Sequence, residues 1–536
     1  MAKSRTSAAL LLASSLFAAS AAHPQSQVAP RPQFDPFALD EMASYCNSYI
    51  GSTAGDATVT AAILRLAGPP AEPGGAAPLP PHCYVEGMIN RRTGAGPNGT
   101  RVEYGIGFEL ALPIRWNGRF LLMGGGGLNG SIRPATGPVA AGNRSALERG
   151  FAVASHDSGH KGAGFDSSFH ADQRASLDFA EASVRTVTVT TRAIATAFYG
   201  QAPHHSYMTG CSTGGREGML ASQRYPELFD GIAIGAPAMR PGHSNLGIEY
   251  AQVLLNATLP ASQAGPAGFS APERALVDSE LRRQCDGQDG RTDGIIANVE
   301  ACRSFQPAAL SCSAGQREGC LSSAKVEALT TMFAGPRDAA GRPIYVPIPF
   351  DSGITFTGAG LPGYLPAGAP GPFGPASTAR TIDIDERINA VQWDAVGRLT
   401  DTAYWTNLST FLAKGSKVIY FHGVSDPWFS AFDTWDYFQR AREANGAQAW
   451  DNAARFYMVP GMMHCSGGNA FDQFDLLGPL VEWTEGGSAP GAVPASRSDG
   501  QPGQMPLCPH PSYAHYTGGD ALQTSSYSCL MPGVTG

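Results

Sequence analysis

The feature that most constrains the fold is a serine set between glycines at residues 210–214, which read GCSTG. A short apolar stretch at 206–209 precedes it and a helix-like run at 216–225 follows it. This strand–turn–helix context predicts a nucleophile elbow, in which Ser212 projects its hydroxyl from the end of a central strand. The flanking residues must be small, because side chains there would collide with the strand or the helix.

Two segments in the last quarter of the chain distinguish a catalytic serine from an ordinary serine in a glycine-rich turn. A predicted buried strand at 417–422 runs into Asp426, and another at 455–460 leads to His464. The order serine, aspartate, histidine is that of the α/β-hydrolases, so we expect the three side chains to meet at one sheet edge. Taken singly, Asp426 could cap a turn, and a lone histidine is usually structural. His422 is the nearest rival base, but its place inside the strand favours a supporting role.

Two cysteines connect these distant segments. Cys211 precedes Ser212, and Cys465 follows His464. A hydrogen bond between the serine and the imidazole would bring both cysteines close together. A disulfide requires Cα atoms roughly 4.4–6.8 Å apart, which residues adjacent to such a pair can satisfy. We therefore expect a disulfide between the nucleophile loop and the base loop.

The N-terminus has the pattern of a secretory signal peptide. Two basic residues precede an apolar run at 8–19 and a small-residue cleavage site, ASA, at 19–21. The run is shorter than the roughly 20 residues that cross a bilayer. The sequence therefore predicts export, to a periplasm or to the medium, and not a membrane anchor.

The cysteine count and the net charge restrict the class of protein. Ten cysteines, an even number, are expected to form five disulfides in an oxidising compartment. Their pairing stays open, although Cys285 with Cys302 and Cys312 with Cys320 would close short loops. A net charge of −8 without a basic run argues against nucleic acid or an anionic membrane surface as a partner. The oligomeric state is not predicted.

Strand and helix patterns alternate as a parallel sheet requires. Buried strands are predicted at 119–123 and 151–155, and a helix is predicted at 172–199 with Asp172 as a possible cap. The fold class is therefore α/β, an α/β-hydrolase fold with a large lid domain inserted between nucleophile and acid. The predicted parts are a signal peptide at 1–22, the first part of the core with an N-terminal extension at 23–238, the lid at 239–404, and the second part of the core at 405–536.

A glycine cluster at 124–127 follows the predicted strand at 119–123. In α/β-hydrolases a loop in this position supplies an oxyanion-hole amide, and glycines let its backbone approach the substrate carbonyl. We expect the backbone amides of Gly127 and Thr213 to hold the oxyanion. A flexible turn is the alternative. A dinucleotide-binding loop is excluded, because no helix starts at this cluster.

The predicted lid contains three carboxylates separated by glycines at 285–295, which read CDGQDGRTDGI. Hard oxygen ligands on a tight turn suit calcium. The spacing is not that of an EF-hand, so an Asp/Gly-rich turn without metal is the alternative. An insertion between elbow and acid lies over the active site in this fold, and we expect it to shape the substrate pocket. Its segment 362–375 has little regular structure in the sequence pattern.

The chain resembles the tannase and feruloyl esterase family over nearly all of its mature length, and most closely the members that hydrolyse terephthalate monoesters. The matching motifs are GCS at 210–212, GGREG at 214–218, YP at 225–226, DGI at 230–232, HG at 422–423, SD at 425–426, PGM at 460–462 and HCSGG at 464–468. The resemblance implies that Ser212, Asp426 and His464 form a catalytic triad and that Cys211 pairs with Cys465.

The resemblance also implies a structural calcium ion in the lid and no organic cofactor. Its ligands would be the side chains of Asp286, Asp289 and Asp293 and the carbonyls of Arg291 and Ile295. Four further disulfides are implied, namely Cys46 with Cys83, Cys285 with Cys302, Cys312 with Cys320, and Cys508 with Cys529.

Two departures from the terephthalate-type pattern bear on the substrate. Thr213 replaces the acidic residue that those members carry after the nucleophile. The segment 350–388 does not reproduce the one that grips a free carboxylate, and Arg380 and Arg387 match no motif there. The sequence therefore favours serine acyl transfer on small aromatic esters, feruloyl, galloyl or related. A terephthalate monoester is the alternative substrate, and a serine peptidase or a non-catalytic binding protein are the remaining alternatives.

Overall fold

The computed structural model describes residues 39–68, 78–264, 268–354 and 377–533. The predicted signal peptide at 1–22 and the segment 362–375, predicted to have little regular structure, lie outside the described residues. Within the described ranges, no helix has both the length and the apolar character that crossing a membrane requires.

A ten-stranded sheet forms the centre of the molecule. In chain order its strands are β1 (Thr53–Ala54), β2 (Ala57–Arg65), β3 (His82–Ala95), β4 (Arg101–Pro113), β5 (Arg119–Met123), β6 (Ala152–His156), β7 (His205–Cys211), β8 (Gly231–Gly235), β9 (Lys417–Gly423) and β10 (Ala454–Val459). Across the sheet they lie in the order 1-2-3-4-6-5-7-8-9-10. The strands β1 to β4 and the β4–β6 pair are antiparallel, and all pairs from β6 to β10 are parallel.

Helices connect the parallel strands, which confirms the predicted α/β class. The α-helices are α1 (Leu39–Asn47), α2 (Gln173–Leu177), α3 (Ser183–Tyr199), α4 (Thr213–Arg224), α5 (Pro241–Ala257), α6 (Ala271–Cys285), α7 (Ser323–Ala334), α8 (Ile384–Trp393), α9 (Ala395–Thr400), α10 (Ser409–Ala413), α11 (Ala431–Asn445), α12 (Ala447–Asp451) and α13 (Leu477–Gly486). Two small sheets near the C-terminus are formed by β11 (Gln473–Phe474), β12 (Val493–Ser496), β13 (Gln504–Leu507), β14 (Tyr513–Tyr516) and β15 (Tyr527–Leu530).

The parallel strands are buried on both faces, because successive side chains point to opposite sides of a sheet. On β7, Met208 joins a core with residues of α3, α4 and α11, such as Val187. Its neighbour Tyr207 joins a second core that includes Leu480 and Trp483 of α13. The strand that precedes the serine is therefore held rigidly between two apolar layers.

The helix predicted at 172–199 is interrupted. Asp172 caps α2, as predicted, by accepting the backbone N–H of Ala175 at 2.8 Å. A π-helical turn at Asp178–Ala182 then separates α2 from α3. The guanidinium of Arg216, which is buried, donates to two carbonyls of this turn at 2.8 and 2.9 Å. Helix propensity does not predict this turn, because the turn depends on hydrogen bonds that its carbonyls accept from a side chain of α4.

The insertion, which we define as residues 236–416 between β8 and β9, contains α5 to α10. It is more helical than its weak sequence periodicity suggests. Its helices have their own apolar core, to which Leu255, Leu281 and Phe333 belong. A capping box at Ser270 starts α6. The domain boundaries at 238 and 404 stay predictions.

Five disulfides are present, and they use all ten cysteines. The Cα atoms of the bonded pairs lie 4.9 to 6.0 Å apart, within the range that disulfides occupy. The pairs are those expected above: Cys46–Cys83, Cys211–Cys465, Cys285–Cys302, Cys312–Cys320 and Cys508–Cys529.

Candidate active site

Ser212 lies in a strained turn between β7 and α4. Its φ is 64° and its ψ is −121°, a conformation that L-residues rarely adopt. The turn is fixed by a hydrogen bond of 3.1 Å from the Ser212 N–H to the carbonyl of Gly235. A Cβ at Gly210 would lie 2.4 Å from the carbonyl oxygen of Gly214. These contacts explain why glycine flanks the serine, and they give Ser212 the geometry of a nucleophile elbow.

His464 and Asp426 form a hydrogen-bonded pair. His464 Nδ1 lies 2.7 Å from Asp426 Oδ2. The other oxygen, Oδ1, accepts the backbone N–H groups of Trp428 at 2.8 Å and Phe429 at 3.1 Å. Burial would raise the pKa of Asp426, but His464 and His422 outweigh it and hold this pKa well below its ordinary value. The carboxylate is therefore charged, and it orients the imidazole.

His422 supports the acid, in line with its predicted secondary role. It is fully buried, and its Nε2 lies 3.3 Å from Asp426 Oδ2 and 3.1 Å from the carbonyl of Phe429. Its Nδ1 lies 2.8 Å from the hydroxyl of Thr434. In contrast, His464 Nε2 has no hydrogen-bond partner within the described parts of the chain. Of the two histidines, His464 is therefore the one with a ring nitrogen available to a serine.

The disulfide between Cys211 and Cys465 brings the two loops together. The Cα atoms of the bonded cysteines lie 6.0 Å apart, although 254 residues separate them in sequence. Ser212 and His464 are each one residue from a bonded cysteine, a Cα step of about 3.8 Å. Cys465 itself has a φ of 68°, so the base loop, like the elbow, holds a non-glycine residue in the left-handed region.

The two residues predicted to hold an oxyanion lie side by side. Thr213 is the first residue of α4, and the first N–H groups of a helix have no partner within it. The hydroxyl of Thr213 donates to the carbonyl of Gly127. Gly127 has a φ of 59°, and a Cβ there would lie 2.3 Å from the carbonyl oxygen of Gly164. Only glycine fits this position, which leaves the loop close to the helix N-terminus.

A buried carboxylate for which no role was predicted, that of Glu217, holds the glycine loop at 124–127. Glu217 is fully buried and accepts the backbone N–H of Gly125 at 2.8 Å. It also accepts from the side chains of Asn129 at 3.2 Å and Ser158 at 3.3 Å. His156 Nε2 lies 3.7 Å away. Glu217 stands in the GGREG motif, but one glutamate in a helix carries no signal for such a role.

Aromatic rings surround the imidazole. The ring centroids of Trp428 and Phe429 lie 5.6 and 5.2 Å from that of His464. Phe165, which is 38% exposed, lies 5.6 Å from Trp428. The aromatic pair comes two residues after Asp426 in the chain, so its place beside the acid could have been recognised from the sequence.

A cleft of about 980 Å³ opens beside the elbow. Thr213 and Leu128 line its floor, and the insertion contributes Trp393 and Arg398 to its wall. Trp393 is 72% exposed, and the Arg398 guanidinium lies 5.7 Å from the Trp393 ring centroid. The cleft is large enough for a drug-sized ligand. The insertion therefore forms part of the surface that a substrate beside Thr213 would meet.

The two arginines considered for a substrate carboxylate have partners within the protein. Arg387 lines the cleft and forms an ion pair of 2.7 Å with Glu249. Arg380 donates to the carbonyl of Ala257 at 3.2 Å. Neither residue has the geometry of a free carboxylate receptor.

The Asp/Gly turn has the charge distribution that a hard cation would neutralise. Burial, with further repulsion from Asp293 and Asp286, raises the pKa of Asp289 to about 7. Two of its glycines, Gly290 and Gly294, have φ values of 91° and 87°, which let the chain fold back on itself. Carboxylate oxygens are ligands that calcium takes. In this structure those of Asp286, Asp289 and Asp293 accept backbone N–H groups at 2.9, 2.8 and 3.1 Å, and Asp293 also forms an ion pair of 3.1 Å with Arg291.

Another polar cluster has the residue types of a metal site. The ligand atoms of His204, His205 and Glu485 all lie within 4.8 Å of one another. However, both oxygens of Glu485 already accept from Arg119, at 2.7 and 2.6 Å, and one of them also accepts from Tyr207 at 2.6 Å. The cluster is therefore an internal hydrogen-bond network.

Comparison with known proteins places the chain among esterases. The family model described as tannase and feruloyl esterase matches residues 93–363 and 376–530. Mono(2-hydroxyethyl) terephthalate hydrolase of Piscinibacter sakaiensis is 36% identical over 526 aligned residues, which cover 85% of this chain and 86% of that protein. A probable feruloyl esterase of Arthroderma benhamiae is 27% identical and covers 78% of this chain and 81% of its own length. The crystal structure of feruloyl esterase B from Aspergillus oryzae superposes with a TM-score of 0.71 at 24% identity, and covers 91% of this chain and all of that one.

Proposed function

The chain belongs to the tannase and feruloyl esterase family and is a carboxylic ester hydrolase, and we propose that it cleaves esters of aromatic acids through an acyl-enzyme on Ser212. One observation carries the proposal. The disulfide from Cys211 to Cys465 joins the loop of the strained serine to the loop of a histidine that is hydrogen-bonded to Asp426. This arrangement has the order and the partners of a serine hydrolase triad.

The proposed reaction follows the acyl-transfer route. His464 Nε2 takes the proton of the Ser212 hydroxyl as Oγ forms a bond to the ester carbonyl carbon. The amides of Gly127 and Thr213 donate to the oxyanion of the tetrahedral intermediate. When the intermediate collapses, the bond to the alcohol oxygen breaks, and His464 returns the proton to that oxygen. Water, deprotonated by the same imidazole, then attacks the acyl carbon. The bond from this carbon to Oγ breaks, His464 returns the proton to Oγ, and the acid leaves.

The aromatic preference is supported by the rings beside the proposed base. Trp428 and Phe429 are buried beside the imidazole, and Phe165, which is 38% exposed, lies 5.6 Å from Trp428 at the edge of this cluster. Aromatic groups pack favourably on such rings in edge-to-face or offset geometry. We propose that a feruloyl or galloyl ring, or a related small aromatic acyl group, packs against the exposed edge of this cluster.

A terephthalate monoester is the second candidate substrate, and the relative named as a mono(2-hydroxyethyl) terephthalate hydrolase favours it. Such a substrate carries a free carboxylate away from the scissile ester. The partners of Arg380 and Arg387 within the protein argue against those two residues as its receptor. The aromatic ester without a required carboxylate is therefore our first choice.

We further propose that calcium binds the Asp/Gly turn, outside the chemical step. The side chains of Asp286, Asp289 and Asp293 would hold it, together with the carbonyls of Arg291 and Ile295. A bound ion would neutralise the carboxylates and order the turn. No redox or organic cofactor enters the proposed reaction, and nucleic acid and membranes are not among the proposed partners.

Export to a periplasm or to the medium is proposed from the N-terminal pattern at 1–22. The five disulfides support it, since such bonds persist in oxidising compartments.

A substrate panel tests the function. Methyl ferulate, methyl gallate and a terephthalate monoester are assayed side by side with the protein and with Ser212→Ala. We expect turnover of the first two to exceed that of the third, and Ser212→Ala to lose it. A higher kcat/KM on the monoester would favour the second candidate, and activity retained in Ser212→Ala would contradict the mechanism.

A further inference from the structure

We propose that Asp351, a residue of the insertion, is a positioning residue that fixes the loop of Asp426 and the loop of His464 relative to each other. The inference rests on the proposed triad. Asp351 lies between α7 and α8 in the chain, far from both loops in sequence, and it has no direct contact with the proposed reacting atoms.

One carboxylate oxygen of Asp351 contacts both loops. Oδ2 accepts the hydroxyl of Ser425 at 2.6 Å and the backbone N–H of Gly461 at 2.7 Å. Ser425 immediately precedes Asp426, and Gly461 lies three residues before His464. Asp351 is fully buried. A low-dielectric interior strengthens such hydrogen bonds electrostatically.

The chain around Asp351 fits tightly against the acid loop. The Ser425 hydroxyl that donates to Asp351 also accepts the N–H of Gly353 at 2.9 Å. A Cβ at Gly353 would lie 2.5 Å from the Cβ of Ser425, so only glycine permits this approach. The N–H of Ser425 in turn donates to the carbonyl of Met462 at 3.0 Å, which joins the acid loop to the base loop directly.

Both loops need such a restraint, because each contains a glycine, whose backbone is more flexible than that of other residues. Gly423 ends β9 on one side, and Gly461, with a φ of 71°, follows β10 on the other. Glycine loses more conformational freedom on folding than other residues. A single oxygen that accepts from both loops sets their separation, and a misplacement of about 1 Å at a catalytic site can cost about 100-fold in rate. In this proposal the insertion fixes the geometry of the triad as well as lining the cleft.

The Asp351→Ala variant, which removes the shared acceptor, tests the inference with methyl ferulate as substrate. Asparagine would not serve, because its amide oxygen can accept both hydrogen bonds in the place of Oδ2. We expect kcat to fall about tenfold or more while KM changes less than about twofold, because the triad is displaced and the cleft is not. The low-field NMR signal of the imidazole proton shared with Asp426 should also shift. The matched control is Asp338→Ala. Asp338 is another buried aspartate of the insertion, and it accepts from Ala340 at 3.0 Å and Arg342 at 2.8 Å. The kcat and NMR signal of this control should stay as in the wild type.

A second variant keeps the test decisive if Asp351→Ala does not fold. Ser425→Ala removes the hydroxyl link to the acid loop and leaves Asp351 bonded to Gly461, so kcat should fall below that of the wild type. If Asp351→Ala folds, its loss should be the larger one, and the losses in the Asp351→Ala, Ser425→Ala double variant should be less than additive. Equal kcat in Asp351→Ala and Asp338→Ala, or in Ser425→Ala and the wild type, would overturn the positioning role. Failure of the proposed function would look different, since wild-type turnover would then be absent or independent of Ser212.

Discussion

Glu217 accepts the backbone N–H of Gly125 at 2.8 Å, and this bond runs from the helix behind the proposed nucleophile to the loop that faces it. The same carboxylate accepts from the side chains of Asn129 and Ser158. Hydrogen bonds of Glu217 therefore hold the nucleophile elbow and the glycine loop at 124–127 together. The position of the Gly127 amide depends on a residue that need not contact any substrate.

The Glu217→Gln variant should lower kcat on methyl ferulate by about tenfold or more, with a smaller change in KM. Removing one oxyanion donor outright costs about 100-fold to 1000-fold, and a displaced loop should lose part of this effect. In this variant the side-chain N–H₂ group of the glutamine would face the donors of Asn129 and Ser158, and two donors repel each other. The glycine loop should therefore shift. Steady-state kinetics measure the effect. The control is Glu109→Gln, which alters a contact of 2.9 Å with Tyr84 on the antiparallel side of the sheet. Equal kinetics in both variants would contradict the role of Glu217.

Removing the Cys211–Cys465 disulfide should impair both catalysis and stability. Loss of a native disulfide typically costs about 2–5 kcal/mol, and this one holds the serine and histidine loops together. The Cys211→Ser, Cys465→Ser double variant should therefore lower kcat and the melting temperature. As a control, Cys312→Ser with Cys320→Ser opens a bridge across only 8 residues in the insertion. That variant should lose stability but keep its kcat; an equal loss of kcat in both would argue against a specific role.

The buried Asp157 carboxyl should contribute stability at acidic pH that is lost as the pH rises through neutrality. Burial raises the pKa of this carboxyl to about 7, against about 3.9 in an unfolded chain. The folded state thus binds the proton more tightly, so the stabilisation is complete below the unfolded pKa and is lost as pH passes through 7. On going from pH 5 to pH 8, the melting temperature should fall less, or rise more, in Asp157→Asn than in the wild type. Buried histidines such as His160 and His243, whose pKa values burial lowers to about 4, contribute the opposite trend in both proteins. In Asp56→Asn, which changes an exposed residue, the difference should persist. An unchanged difference in Asp157→Asn would contradict the assignment.

Chelation should lower the melting temperature more than it lowers kcat. Without a cation, the carboxylates of Asp286, Asp289 and Asp293 repel one another, which destabilises the turn but leaves the triad intact. Differential scanning calorimetry with and without EGTA measures the shift. The Asp289→Asn variant should melt lower than the wild type and respond less to the chelator. A wild-type melting curve that EGTA leaves unchanged would count against the ion.

The sequence predicted the features that local chemistry determines. The strained turn at Ser212 requires small neighbours, and buried strands at 417–422 and 455–460 read as apolar runs, so their positions could be inferred. The disulfide between Cys211 and Cys465 followed from the contact expected of the residues beside them. These inferences needed only short segments and the known order of a triad.

The features that the sequence did not predict depend on contacts between distant segments. The π-helical turn at Asp178–Ala182 exists because Arg216 donates to its carbonyls. The role of Asp351 depends on loops 74 and 110 residues further along the chain. No local pattern marks either residue, since a lone buried arginine or aspartate looks like any other in sequence.

Covalent labelling tests the central claim most directly, namely that Ser212 is the nucleophile activated by His464. The protein is incubated with a p-nitrophenyl alkylphosphonate, and the released nitrophenol and the labelled peptide are measured. We predict one equivalent of label per chain, located on Ser212 by mass spectrometry, and no label in Ser212→Ala or His464→Ala. A label on another residue, or ester turnover that survives complete labelling of Ser212, would contradict the account.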